Sequence, residues 1–115
     1  MKSVTEARLR AEIFVRAQLR ICDQTLLPAV VRHRGDPDAG TVLIKLDRLD
    51  GNCVVFSQVR TIDGEIAWMR ATGDNPVPDV DGESYINKQL QFDPDIWVLE
   101  IEDPGERYKV HGTLI

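Results

Sequence analysis

FDPDIWVLEIED, Phe92 to Asp103, is the stretch whose reading decides the fold. Pro94 fixes its own φ and pushes Asp93 towards extended backbone, so the element before Asp93 must end there and a new one begin. From Ile96 the side chains alternate, with Trp97, Leu99 and Ile101 on one face of a strand and Ile96, Val98, Glu100 and Glu102 on the other. The first face is buried. The second is apolar at its start and acidic at its end, which reads as a late strand closing a small α+β sheet.

Working backwards, four strand-like runs precede it. They are Ala29 to Arg34, Thr41 to Leu49, Asn52 to Arg60 and Glu65 to Ala71, separated by Gly35–Gly40, Asp50-Gly51 and Asp63-Gly64. Asp-Gly between β-rich runs marks a tight hairpin. Sequential strands joined by short turns pair antiparallel, so this region is expected to be a four-stranded meander. Thr72 to Asp81, with Gly73, Pro76 and Pro78, is expected to be a loop unable to hold a ladder. Asp81 or Ser84 can cap a short second helix to about Phe92, with Tyr85, Ile86 and Leu90 as its apolar contacts. The tail from Pro104 is expected to be an edge strand or a mobile end, which leaves residues 1–103 as a single domain and 104–115 as a C-terminal extension.

At the other end, Ser3 and Glu6 have capping-box spacing for a long first helix. Val4, Ala7, Ala11, Phe14, Val15, Ile21 and Cys22 follow on one side at helical spacing. Gln18 falls near the middle of that apolar side, where a buried amide needs a partner. Arg8, Glu12, Arg16 and Arg20 succeed one another at i,i+4 on the opposite flank, where Glu12 can pair with Arg8 and Arg16, each of these two pairs worth about 0.2–0.5 kcal/mol.

Composition bounds the function. With 115 residues, 43% of them hydrophobic, the chain suits one core. The two cysteines, Cys22 and Cys53, lack neighbours at metal-ligand spacing and read as buried thiols. Arg8, Arg10 and Arg16 interrupt any apolar signal core, and no run reaches the roughly 18 apolar residues of a membrane span, so a cytoplasmic protein without membrane attachment is expected. Charge is uneven. Residues 1–34 carry seven bases against three acids, the remainder seven bases against sixteen acids.

The order of elements, with RHRGDPDAGTVLIKLDRLDG (Arg32 to Gly51) and FDPDIWVLEIED at its two ends, resembles a family of small uncharacterised, mostly alphaproteobacterial proteins classed as a domain of unknown function. The resemblance covers nearly the whole chain up to Asp103. It implies one intracellular domain, and no activity.

Bases gather on the meander. Arg32, Arg34, Lys45 and Arg70 are the candidate anion-binding group, since positive side chains on neighbouring strands can converge on an anion. Acids at Asp36, Asp47 and Asp63 offer cross-strand salt bridges as the competing use. The sequence pI of 4.9 weighs against a general nucleic-acid binder. Asp36, Asp38, Asp50 and Asp63 sit where turns use aspartate for local hydrogen bonds, so no metal site is expected. His33 and His111 have no nucleophile motif near them, so no catalytic residue and no cofactor are assigned. Trp68 and Trp97 share strand faces with Ile66 and Leu99 and read as core.

The expected molecule is thus an α+β domain: an antiparallel sheet of four or five strands, covered on one side by a long N-terminal helix and a short second one. Its expected role is non-enzymatic, as a binding or interaction domain for a protein partner or a second copy. The apolar pairs Val42/Ile44/Leu46 and Leu43 on both faces of one strand favour self-association, as a homodimer or larger homo-oligomer. The alternative is a small enzyme or binder that takes a phosphate-bearing anion on Arg32, Arg34, Lys45 and Arg70.

Overall fold

The computed structural model describes residues 10–115. The expected Ser3–Glu6 capping box, and Val4, Ala7 and Arg8 with it, lie outside them. Among the described residues two helices, α1 (Ala11–Gln24) and α2 (Asp79–Phe92), accompany seven strands: β1 (Ala29–His33), β2 (Val42–Asp47), β3 (Asn52–Arg60), β4 (Ile66–Arg70), β5 (Val77–Pro78), β6 (Trp97–Glu102) and β7 (Thr113–Leu114). The fold is α+β, as expected, but several finer expectations change.

First, the sheet is mixed. Its order is β1-β6-β2-β3-β4-β7, with the two-residue β5 beside β3. The β2–β3–β4 meander forms, Asp50-Gly51 and Asp63-Gly64 heading its hairpins, with Lys45 opposite Val55 and Gln58 opposite Trp68. β1 does not join it. The last long strand inserts between β1 and β2, antiparallel to β1 and parallel to β2, with Ile44 opposite Leu99. The reason is burial: Trp97, Val98, Leu99 and Ile101 are all buried, and β2 buries five consecutive residues, so both strands need neighbours and covering layers on each side. The eight-residue segment from Arg34 to Thr41 therefore crosses the end of β6 instead of making a tight turn. Asp36 N–H donates to the Asp95 carbonyl and Trp97 Nε1–H to the Asp36 carbonyl, at 2.9 and 2.8 Å. Gly35 lies so close to the Asp95 carbonyl and the Trp97 ring that a Cβ there would collide with both.

Second, the helices cover opposite faces, not one. α1 presents Phe14, Val15 and Cys22 to Val42, Ile44, Leu46, Trp68, Trp97, Leu99 and Ile101. Phe14 stacks on Trp68 with ring centroids 5.8 Å apart, a pairing worth about 0.5–1.5 kcal/mol beyond burial. α2 presents Ile86 to Leu43, Val55, Ile96 and Val98. The apolar second face expected to drive self-association is therefore filled from within. Gly82 permits the approach, because any side chain there would strike the Cys53 sulfur.

Third, the first helix is short. Its 14 residues begin at Ala11 because Arg10 is extended, at ψ 150°, and the first N–H groups are taken by loop carbonyls: Ala11 N–H by Asp38 and Glu12 N–H by Pro37. The second helix starts earlier than expected, at Asp79, directly after Pro78, with Asp79 and Asp81 in its first turn favouring the macrodipole. The proline-bearing segment before it does hold a short ladder. Val77 and Pro78 pair with Cys53 and Asn52, at a sheet margin where a missing N–H is tolerated.

Residues beyond Asp103 pack back across the α1 face. Tyr108 is buried and its hydroxyl donates to Gln18 Oε1 at 2.7 Å, which supplies the partner the buried amide needs. Trp68 Nε1–H donates to the His111 carbonyl at 2.6 Å, and β7 runs parallel to β4 along the sheet margin.

Candidate functional site

The four bases singled out from the sequence do not meet. Arg32 and Lys45 come together on the α2 face, while Arg34 and Arg70 lie on the α1 face. A register shift between Val31 and His33 breaks the alternation that would have kept Arg32 and Arg34 side by side. Arg34 reaches Glu12 on α1 at 3.1 Å and stacks over the Trp97 ring at 5.3 Å. His33 uses Nδ1 on the Ile96 carbonyl, 2.8 Å away.

Lys45 stands in an apolar run, Val-Leu-Ile-Lys-Leu, and its side chain is only 4% exposed. Such a cation needs acids. α2 supplies Asp79 at 2.6 Å and Glu83 at 2.5 Å, and β6 supplies Glu100 at 3.8 Å. Arg32 grips the same Glu83 with both terminal nitrogens, at 2.6 and 2.7 Å, and Glu100 at 3.0 Å. Two cations thus share three carboxylates. The Arg32 hydrogen bonds, with Lys45 adding to them and burial opposing, hold the Glu83 carboxyl at about 2. Arg32 is pushed up, chiefly by its hydrogen bond to Glu83. Burial tends to lower Lys45, and the bonds to Asp79 and Glu83 outweigh it and raise it. The sequence signal for Glu83 was the lysine itself: a buried cation on a central strand demands an acid, although nothing local says which.

A second network closes one end of the sheet. Asp103, fully buried, accepts the N–H groups of Arg107 and Tyr108 at 2.9 Å each and faces Arg48 at 3.4 Å. Asp103 N–H donates to the Asp47 carbonyl, Glu102 N–H to Pro28, and Arg107 Nη2 to Thr25. Three loops are thereby tied together: residues 25–28, 47–52 and 103–108. Each holds a non-glycine residue at positive φ: Leu26 at 62°, Leu49 at 61° and Glu106 at 56°. Bulky residues rarely adopt that conformation, and strain of this kind concentrates at functional surfaces. Leu26 is 84% exposed and Leu49 55%. They flank the end of β6, on loops two strand spacings, about 10 Å, apart. Sequence patterning had no means of finding them.

A cleft of about 250 Å³ opens between the α1 face of the sheet and the returning tail, lined among others by Phe56, Arg70, Tyr108 and Lys109. Among the described residues no group of three or more His, Cys, Asp or Glu is placed to hold a metal ion, and no helix is long and apolar enough to cross a membrane.

Residues 9–110 match the family described as "Protein of unknown function (DUF1491)". A crystal structure of a DUF1491 family protein from Caulobacter crescentus CB15 is 34% identical, covers 94% of this chain and 100% of its own, and superposes with a TM-score of 0.82. An NMR structure of a DUF1491 family protein from the same organism is 36% identical over 93% of this chain and 96% of its own, with a TM-score of 0.78. A solution structure of a protein from A. tumefaciens, 23% identical over 84% of this chain and 86% of its own, has a TM-score of 0.73 and shares the fold. Both organisms are alphaproteobacteria, as the sequence resemblance implied. No curated protein matches.

Proposed function

We propose, for a chain that belongs to the DUF1491 family of proteins of unknown function, a non-enzymatic role in the cytoplasm as an interaction domain that docks a partner on the end of the sheet bearing Leu26 and Leu49. The observation that carries this reading is the exposure of two leucines on left-handed backbone, on neighbouring loops that Asp103, Arg48 and Arg107 tie together. Asp23, Asp50, Glu102 and Glu106 are exposed around them, so the complementary surface is basic with an apolar centre.

A second copy of the chain fits that description. Ile13, Arg16 and Arg20 form one stripe on the outer side of α1, with Ile13 49% exposed and Arg16 and Arg20 in solvent. A contact between this stripe and the leucine end is heterologous, and it closes into a ring or propagates. Buried, unpaired Cys22 and Cys53 suit a reducing compartment. The competing role, a phosphate-bearing ligand on Arg32, Arg34, Lys45 and Arg70, is not favoured, because Glu83, Glu100 and Asp79 already neutralise the two bases that meet.

Sedimentation equilibrium tests the self-association. The native chain should associate at low salt and dissociate as salt rises. Leu26→Asp/Leu49→Asp and Arg16→Glu/Arg20→Glu proteins should each be monomeric, yet form a one-to-one complex when mixed, since each retains the half the other lacks. A native chain that stays monomeric at low salt would refute the second copy as partner.

A further inference from the structure

Most bases among the described residues are committed. Arg10, Arg16, Arg32, Arg34, Lys45 and Arg48 make ion pairs, while Arg60 and Arg107 donate to the Gly64 and Thr25 carbonyls. Arg20, Arg70, Lys88 and Lys109 do neither. Two of these four, Arg70 and Lys109, line the same cleft, the one beneath the returning tail.

Its floor is apolar. Leu46, Val54 and Phe56 come from the sheet, and Val110 closes the tail side. Two acids border it. Glu106 is turned towards Arg48 at 3.9 Å, and Arg48 is itself held by Asp103 at 3.4 Å, so both acids are directed to Arg48, a trio with one net negative charge, and not to Arg70 or Lys109. Asp74 alone remains to set against Arg70 and Lys109, which leaves those three side chains with one net positive charge beside an apolar floor. A volume of about 250 Å³ is that of roughly eight water molecules and lies below the range of drug-sized ligand pockets, about 300–1,000 Å³. The complement is small, carries a single negative charge and has a hydrocarbon body.

We propose that the cleft between β2–β3–β4 and the C-terminal tail binds a small amphipathic carboxylate, its carboxyl group on Arg70 and Lys109 and its chain on Leu46, Val54 and Phe56. Arginine suits the carboxyl because its planar fork meets both oxygens. Inorganic phosphate fits poorly, having nothing to place on the floor. The site adjoins the leucine-bearing end at Arg48 and Glu106, but its ligand contacts are other residues and neither proposal depends on the other.

Amide NMR spectra of the full chain, titrated in parallel with octanoate, octanol and inorganic phosphate, test this. Octanoate should give saturable shifts centred on Val54, Phe56 and Val110. Octanol should bind at least about tenfold more weakly for lack of the charge, and phosphate should leave these amides unmoved. Arg70→Ala should weaken octanoate at least about tenfold while the rest of the spectrum stays native, with Lys109→Gln as a second variant expected to act in the same direction. Absence of saturable octanoate shifts, equal binding of octanol or phosphate, or unchanged affinity in both variants would overturn the assignment.

Discussion

Two pairs of bases, one on each face of the sheet, are treated in opposite ways. On the α2 face, Arg32 and Lys45 are closed in by Glu83, Glu100 and Asp79, and Lys45 is nearly inaccessible. On the α1 face, Arg70 and Lys109 stand over an apolar floor without an ion-pair partner among the described residues. The strand that carries a base says little about its use. What decides availability is the charge that distant elements bring to it, here two acids from α2 and one from β6.

The strand common to both faces gives the sharpest way to separate them. Trp97 points to the α1 face and Glu100 to the α2 face of the same strand. If the first face is held by apolar packing, Trp97→Ala should cost about 3–5 kcal/mol in urea melts, the largest effect expected here. A loss under about 1 kcal/mol would mean that the indole contributes little to the core. Glu83→Gln probes the other face. It leaves Lys45 with Asp79 and Glu100, and Arg32 with Glu100, so the expected cost is about 2–3 kcal/mol, short of the 3–5 of a fully broken buried pair. Arg70→Ala should change stability by no more than about 0.5 kcal/mol, because no ion-pair partner among the described residues is lost. Equal costs for the last two substitutions, measured by the same melts, would erase the distinction between the faces.

Much of the fold was legible in the sequence because its signals are local. Alternation and the Asp-Gly turns place β2, β3 and β4, and the Pro94 boundary places the start of the last long strand. The position of that strand was not legible from adjacency, which favours a meander. Its neighbours were, however, implied by composition: Ile96 to Leu99 and Val42 to Ile44 are apolar on both faces, a pattern that suits two central strands paired with each other and covered on either side. The helix start escaped because its N–H groups are satisfied by the Pro37 and Asp38 carbonyls, a partner set remote in sequence. The site was less legible still. Arg32 and Lys45 were found, but Glu83 lies 38 residues beyond Lys45, and only the tertiary fold brings the two within a hydrogen bond. Leu26 and Leu49 carry no pattern at all, since left-handed backbone at a leucine is imposed by the loops that hold it.

Arg32 and Lys45 serve structure through Glu83. Their hold lowers the Glu83 carboxyl from its ordinary 4.5 to about 2. A group depressed on folding contributes stability that is fully present above about pH 4.5 and is lost as pH falls towards 2. The most direct measurement follows the Glu83 side-chain carboxyl by carbon-13 NMR through an acid titration of the folded protein. A midpoint near 2 is the predicted result. A midpoint near 4.5 would contradict it, and would return Arg32 and Lys45 to the pool of bases free to bind an anion.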